Sequence, residues 1–352
     1  MTQPRVSVVM AVRDGERWLA EACRSVLTQS LRELELIVVD DGSTDRSPDI
    51  LAEAARSEAR LRLERQSPQG LVSALNRGVA LARTPLIARL DADDVARPDR
   101  LERQLSFLDA HRDVVLLGSW AEKIDESGAV VGRLRPQTDS VRLKAVLQHS
   151  NPFIHSSVVM RAELVRALGG YRPQCRAAED YDLWLRLSEH GAVANLPHEL
   201  VQYRLHPGSV TRTSRTRQCF SARLVRRAAA ARSSGVPDPL AALAELPDWW
   251  MPEAPAQFYG ADALLMRFLD MADASSVTAT RLAALEPPDA GILAALPHAE
   301  RVLARRAILR LLALQKRPAR LSTMRLVGLL LAAAKPRRGG RAVIDGSGHG
   351  MA

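Results

Sequence analysis

The chain has 352 residues, about twice the usual domain length, so it holds either one large domain or two of ordinary size. Hydrophobic residues at 47% and charged residues at 25% sit near globular averages, which excludes a mainly disordered or fibrous chain. The net charge of +9 is local: residues 301–341 hold twelve of the forty-nine basic residues and no acidic one, leaving 37 basic against 40 acidic elsewhere, so the main body is not expected to bind nucleic acid.

A folded soluble chain is expected. Met1 to Met10 runs into strand-like sequence with no basic n-region, so no signal peptide is read there. The apolar run Leu326 to Ala334 is far short of the roughly 20 residues a spanning helix needs. Cys23, Cys175 and Cys219 are odd in number and widely spaced, which fits a reducing cytoplasm and neither a disulfide framework nor a Cys metal site. Only four basic residues are Lys, so a general Arg and Ala bias lowers the weight of any single Arg.

Val6 to Met10 reads as a strand ending in a polar turn, with Asp14 as a cap for a helix from about Arg17 to Gln29. Leu34 to Val39 is a buried strand that stops at Asp40-Asp41-Gly42-Ser43-Thr44-Asp45, before a helix through Ile50 to Ala55. Leu61 to Leu63, Leu71 to Ala82 and Leu86 to Leu90 continue the pattern as strand, helix and strand. That order implies an α/β fold, a mostly parallel sheet flanked by helices. After Asp91-Ala92-Asp93-Asp94, Pro98 marks a helix start and Val114 to Leu117 a fifth strand. Trp120 to Arg135 looks like a hairpin, and Arg161 to Leu168 and Glu179 to His190 look helical.

From about residue 215 the texture changes to Ala, Leu and Arg broken by Pro. Three segments are therefore expected: 1–215 as the catalytic domain, 216–335 as an α-helical module, and 336–352 as a disordered tail. Ala299 to Leu314 mixes apolar residues with Arg301, Arg305, Arg306 and Arg310, in the manner of a helix lying on an anionic membrane face, and Met324 to Ala334 adds a second apolar stretch. An ordinary helix packed on its neighbour, with its Arg face in water, explains the same pattern. Nucleic acid is not expected at this tail, which lacks interleaved aromatics. Trp249, Trp250 and Tyr259 can stack on a sugar ring, though packing explains them more simply.

Parallel sheets bind ligands beyond the carboxyl ends of their strands, where Arg13-Asp14, Asp40-Asp41 and Asp91 to Asp94 should converge on one crevice. A carboxylate pair there can accept ribose hydroxyls or a base N–H, and an Asp-x-Asp turn offers hard oxygens to Mg²⁺ or Mn²⁺, which in turn can hold a diphosphate. No GxxxxGK[ST] or GxGxxG loop is present, so acid and metal must stand in for a backbone phosphate cradle. Each cluster taken alone is also what turns and caps require.

In combination these segments resemble the family 2 inverting glycosyltransferases of the GT-A fold, across roughly residues 5–210. Eight blocks follow that pattern in order: Val6 to Met10, Leu36 to Asp45, Gly70 to Gly78, Ile87 to Asp94, Pro98 to Gln104, Asn151 to His155, Glu179 to Trp184 and Tyr203 to His206. The resemblance implies that Asp41 holds the uracil or thymine base of a nucleotide-sugar, with Ala11 and Arg13 shaping the same pocket. It implies that Asp93 is the metal ligand, that Asp91 lies near ribose and diphosphate, and that Asp180 is the general base. Arg204 or His206 would neutralise the diphosphate, and Glu179 and His155 would contact acceptor or diphosphate. The family's usual Asn before the Gly of the third helix is replaced by Pro68.

The residues leave other roles open. Glu179 and Asp180 begin an amphipathic helix and can simply complement its dipole, and His155 can be structural. The implied function is metal-dependent transfer of a UDP- or dTDP-linked sugar to a hydroxyl of a glycan or lipid-linked saccharide in envelope polysaccharide biosynthesis. The competing reading is a non-catalytic scaffold acting through its basic C-terminal module, against which the intact acids argue. A nucleotidyltransferase would need a glycine-rich basic loop after the first strand, which is absent.

Overall fold

The computed structural model describes residues 3–208, 215–244, 301–302 and 304–309. The chain divides into two compact units, residues 1–246 and 247–352. In the second unit the described residues are helical. The aromatic pair at 249–250, Tyr259, the apolar stretch 324–334 and the tail 336–352 lie outside the described residues, as does most of the basic segment.

The first unit is built on a sheet of nine strands. Its first half is parallel: β1 (Val6–Val12) pairs with β2 (Leu34–Asp40) on one side and β4 (Leu86–Arg89) on the other, and β3 (Leu61–Arg65) adds to β2. All seven residues of β1 are buried, because a central parallel strand is covered on both faces; the apparent alternation of Ser7 with valines therefore marks no wet face. Ser7 is satisfied instead by hydrogen bonds to Glu35 and Thr84.

The second half is mixed. The sheet continues from β4 through the antiparallel β8 (Val159–Arg161) to β6 (Val114–Ile124), then to β9 (Ala192–Arg204) and the two-residue β5 (Val95–Ala96), while β7 (Val130–Leu134) pairs only with β6 as the expected hairpin. The fifth predicted strand thus runs seven residues longer than its apolar stretch suggests. β9 passes through Pro197, which is tolerated because the β6–β9 register shifts between Ser119 and Trp120 and bulges the chain there.

Helices α1 (Leu19–Leu27), α2 (Ser47–Ser57) and α3 (Leu71–Leu81) connect the parallel strands β1 to β4, and α4 (Arg100–Ala110) leads from β5 to β6, followed by α5 (Ser140–Leu147), α6 (Ala162–Ala167) and α7 (Glu179–Ser188). The apolar stripe Leu101, Leu105 and Leu108 of α4 is buried as its spacing predicts. Asp14 is not a helix cap. Trp18 occupies the N-cap of α1 without a side-chain bond, and Asp14, at φ +52°, turns its carboxylate to the backbone N–H of Thr44 at 2.7 Å.

The helix α8 (Arg215–Ser233) falls within the first unit and packs against α7 through Phe220, Leu224, Val225 and Ala228. With α8, α5 and α6 around it, α7 is buried on nearly all sides rather than being amphipathic. Among the described residues no helix is long and apolar enough to cross a membrane.

Candidate functional site

The acidic clusters do converge, because β1, β2 and β4 are parallel neighbours whose carboxyl ends fall on one edge. The loops after β1 and β2 are bonded to each other: Asp41 N donates to Val12 O at 2.9 Å, Asp14 N to Ser43 Oγ at 2.9 Å and Gly15 N to Ser47 Oγ at 2.9 Å. Ala11 is buried within β1 opposite Val39, and Arg13 is half-exposed at the rim beside Asp14. Asp40 is buried, accepts from Ser43 N at 2.9 Å and pairs with Arg65 at 3.2 Å.

Asp41 is nearly filled by its own chain. Its Oδ1 accepts from Gln66 Nε2 at 2.7 Å and Gln69 N at 2.8 Å, and its Oδ2 accepts from Gly70 N at 2.8 Å. A carboxylate oxygen offers two lone pairs, so one acceptor position remains, on Oδ2. The backbone needs glycine beside it: Gly42 has φ +72°, and a Cβ there would stand 2.6 Å from the Pro68 ring. The Pro68 departure is therefore packed against the Asp41 turn. Gln66 had no signal in the sequence.

The Asp91 to Asp94 turn is held from beneath. Arg89, fully buried, pairs with Asp91 and donates to the carbonyls of Leu90 and Val9. The hydroxyl of Ser156 donates to Asp91 Oδ2 at 2.8 Å, so both Asp91 oxygens are engaged. Burial pushes the Asp91 carboxyl up, but the Arg89 charge and the Ser156 hydroxyl hold it below the usual range. Asp93 moves the other way, raised by burial and by the Asp91 charge. Asp94 is buried and raised well above an ordinary carboxyl by burial and by Asp93; its Oδ1 accepts from Arg204 N at 2.8 Å.

Arg204, expected near the diphosphate, is buried beneath the Asp93 turn. Its side chain is 1% exposed, and its guanidinium donates to Asp93 O at 2.8 Å, Asp125 O at 3.1 Å and Glu21 Oε2 at 2.7 Å, with Trp18 5.4 Å from its centre. So enclosed, the guanidinium pins the Asp93 turn to α1 and to the β6–β7 turn. His206, two residues on, does face the site: its Nε2 lies 2.8 Å from Asp93 Oδ2 and its ring packs on Trp18 at 4.7 Å. Trp18 was not singled out in the sequence, where a lone aromatic at a helix start reads as packing.

Among the described residues no group of three or more His, Cys, Asp and Glu side chains is placed to hold a metal. Asp93 and His206 form a pair, and Asp91 is engaged elsewhere. Two protein ligands suit a small divalent cation that takes its remaining oxygens from substrate phosphate and water.

The second half of the site is the start of α7. Asp180 is partly exposed; its Oδ2 accepts from Asn151 Nδ2 at 2.8 Å and its Oδ1 from Tyr181 N at 2.6 Å. Glu179 is buried, its Oε2 has no hydrogen-bond partner, and burial followed by the Asp180 charge pushes its carboxyl up to about 7. His155 sits between the halves, sensing both Asp91 and Asp180, and burial with the Arg89 charge keeps it neutral more readily than a free imidazole. Its Nε2 lies 3.2 Å from Tyr171 Oη, and its ring meets Trp184 edge-on at 6.0 Å.

Tyr171 is in turn fixed by Asn76. Asn76 Nδ2 donates to Tyr171 O at 2.7 Å, and Tyr171 N donates to Asn76 Oδ1 at 2.8 Å. Gly170, at φ +68°, allows the approach, since a Cβ there would meet Asn76 Oδ1 at 2.5 Å. Ala177 also has φ +69°, a strained conformation for a residue with a Cβ, two residues before Glu179.

The glycosyl transferase family 2 model matches residues 7–169. EpsE of Bacillus subtilis, named as a glycosyltransferase, is 37% identical over 227 residues, covering 63% of this chain and 81% of EpsE. The amylovoran biosynthesis glycosyltransferase AmsE of Erwinia amylovora is 34% identical over 190 residues, covering 53% of this chain and 70% of AmsE. Among solved structures, S. aureus TarS 1-349 in complex with UDP-GlcNAc superposes with a TM-score of 0.57 at 16% identity, over 94% of this chain and 90% of that one. The mannosyltransferase PcManGT from Pyrobaculum calidifontis, in complex with GDP-Man and Mn²⁺, gives 0.52 at 20% identity, over 95% and 87%. At such identities the structural matches establish the fold, which is the mixed α/β GT-A type, and the sequence matches establish the family: this chain belongs to glycosyl transferase family 2.

Proposed function

We propose that this glycosyltransferase moves a sugar from a UDP- or dTDP-linked donor to a hydroxyl of a glycan or lipid-linked saccharide, with inversion and with a divalent metal, in polysaccharide biosynthesis at the cytoplasmic face of the membrane. The observation that carries the reading is the pairing of two carboxylate groups across His155. On one side Asp93 and His206 are 2.8 Å apart beside an anchored Asp91; on the other Asp180 is partly exposed at the start of a buried helix.

Asp41 supports a uracil or thymine base. Its single remaining acceptor position on Oδ2 matches one ring N–H, whereas guanine presents an N–H and an amino group side by side. The TarS structure holds a UDP-sugar and the PcManGT structure a GDP-sugar, so the fold itself accepts either.

Asp93 and His206 would hold Mg²⁺ or Mn²⁺, which when bound supplies charge stabilisation for the departing nucleoside diphosphate. Asp91, kept ionised by Arg89 and Ser156, faces the ribose and diphosphate as a hydroxyl acceptor. Asn151 fixes the Asp180 carboxylate by one hydrogen bond from its amide and the Tyr181 N–H by another, leaving the remaining lone pairs for the acceptor hydroxyl. Asp180 takes that proton as the hydroxyl oxygen attacks the anomeric carbon, and the carbon–oxygen bond to the diphosphate breaks on the opposite face. One base and one in-line displacement give inversion without a covalent glycosyl intermediate.

Asp180→Asn separates catalysis from binding. The expected result is a loss of about 10²–10⁴-fold in turnover with nucleotide-sugar affinity kept, measured by single-turnover kinetics and calorimetry. Equal loss of affinity and turnover, or none, would show that Asp180 is not the base.

A further inference from the structure

The start of α7 carries a charge problem that the proposed reaction does not resolve. Around the paired His155 and Tyr171 stand three carboxyl groups, Asp91, Asp180 and Glu179, and one guanidinium, Arg89. Arg89 is taken up by Asp91 and by the carbonyls of Leu90 and Val9. Asp180 has Asn151 and a backbone N–H. Among the described residues Glu179 has neither a cation nor a side-chain donor: it is 8% exposed, and its Oε2 is buried without a hydrogen-bond partner. A buried carboxylate with an unmatched oxygen is costly, and the same oxygen carrying a proton is not. A donor whose diphosphate is itself anionic must then enter beside this group.

We propose that Glu179 is a positioning residue that works as the neutral acid, leaving Asp180 the one acid in the first turn of α7 whose charge no arginine offsets, since Asp182 pairs with Arg186 and Arg172, and so admitting the anionic donor next to Asp91. The proposal rests on the donor reading above. The groups facing Glu179 are Asp180 on its own helix and Asp91 across the site, with His155, Tyr171 and Arg89 in the same cluster and the backbone N–H groups of Ala177 and Glu179 opposing them. Burial and the Asp180 charge together set its carboxyl at about 7, where small changes in pH decide its form. Ala177 and its positive φ fix where the carboxyl stands, since the strained residue precedes it by two. Ionisation places a second negative charge beside Asp180, and donor affinity falls.

The test is calorimetric titration of the full chain with UDP and with dTDP, each with Mn²⁺, from about pH 6 to about pH 9, for the wild type and Glu179→Gln, together with infrared difference spectra of the ligand-free chain over the same range. For the wild type, affinity is expected to fall by up to about tenfold per pH unit above about 7, and Glu179→Gln, which cannot ionise, is expected to keep its neutral-pH affinity throughout. A protonated-carboxyl band that disappears near pH 7 in the wild type and is missing from Glu179→Gln is the matching spectral result. Parallel pH profiles for the two proteins, or a wild-type spectrum without that band, overturn the proposal. Absence of binding of both UDP and dTDP at every pH, with the band present, breaks the donor reading instead and with it the role assigned to Glu179, while leaving its neutral state established.

Discussion

The two halves of the site are built in opposite ways. On the donor side Asp41 is bonded by Gln66, Gln69 and Gly70 and Asp91 by Arg89 and Ser156, while Asp94, held at Oδ1 by Arg204, keeps one buried oxygen without a partner. On the α7 side Asp180 has one side-chain partner, and Glu179 has an oxygen with none. The donor half is a preorganised cradle in which most lone pairs are used and the few left over select the ligand. The α7 half holds the proposed base, Asp180, with fewer side-chain bonds, beside a buried acid, an arrangement whose chemistry would respond to pH and to the acceptor. Preorganised charge on one face and a mobile proton on the other is what a single displacement requires.

If that contrast is right, damage to the donor half should be structural first. Arg204→Ala removes the guanidinium that holds Asp93 O, Asp125 O and Glu21, leaving a cavity and two carbonyls without donors. Chemical denaturation should show a loss of about 3–5 kcal/mol, with metal-dependent nucleotide binding weakened as well. A variant as stable as the wild type would show that the Asp93 turn does not depend on its pin.

Glu179→Gln should do the reverse. Its folded carboxyl titrates at about 7 against an ordinary 4.5, so below about pH 4.5 both states are neutral and the substitution changes little. Between about 4.5 and 7 the unfolded chain ionises while the folded one keeps its proton, so wild-type stability falls as pH rises and the full penalty is present above 7. The Gln variant lacks that penalty and should be more stable at pH 8, by on the order of 3 kcal/mol, with the gap closing on acidification. Denaturation curves at two pH values check both the size and the sign.

The smallest effect concerns the link between the halves. Asn76→Ala leaves the Tyr171 backbone groups without their partners, for a stability loss of roughly 1–3 kcal/mol and a modest fall in turnover as His155 loses its fixed neighbour. Turnover unchanged at full occupancy would place Tyr171 and His155 in packing alone.

The same contrast explains what the sequence revealed. The strand and helix order through Leu90 was legible because each buried strand is a run of apolar residues closed by Asp, Gly or Pro, and the convergence of Asp41 with Asp91 to Asp94 follows from parallel pairing. β5 and β8 have two and three residues, too few for any period to show, and β9 is interrupted by Pro197. Long side chains were misread for a related reason. Arg204 is an exposed cation by composition, and its burial is decided by Glu21, Asp93 and Asp125, which lie 79–183 positions away. Nothing local to Glu179 distinguishes a helix-dipole acid from a buried neutral one; the surrounding helices α5, α6 and α8 do.

The most direct measurement is a thermal-shift and calorimetric panel of the full chain against UDP, dTDP, GDP and CDP, each with and without Mn²⁺, repeated on Asp93→Ala. A ligand that binds the folded state raises its apparent stability by about 2.7 kcal/mol at one hundred times its dissociation constant. The account predicts a metal-dependent shift with UDP or dTDP, a weaker one with GDP because Asp41 has a single acceptor position left, and loss of the metal dependence in Asp93→Ala. A shift with GDP as large as with UDP would contradict the base assignment, and no shift with any nucleotide would contradict the transferase reading of the site.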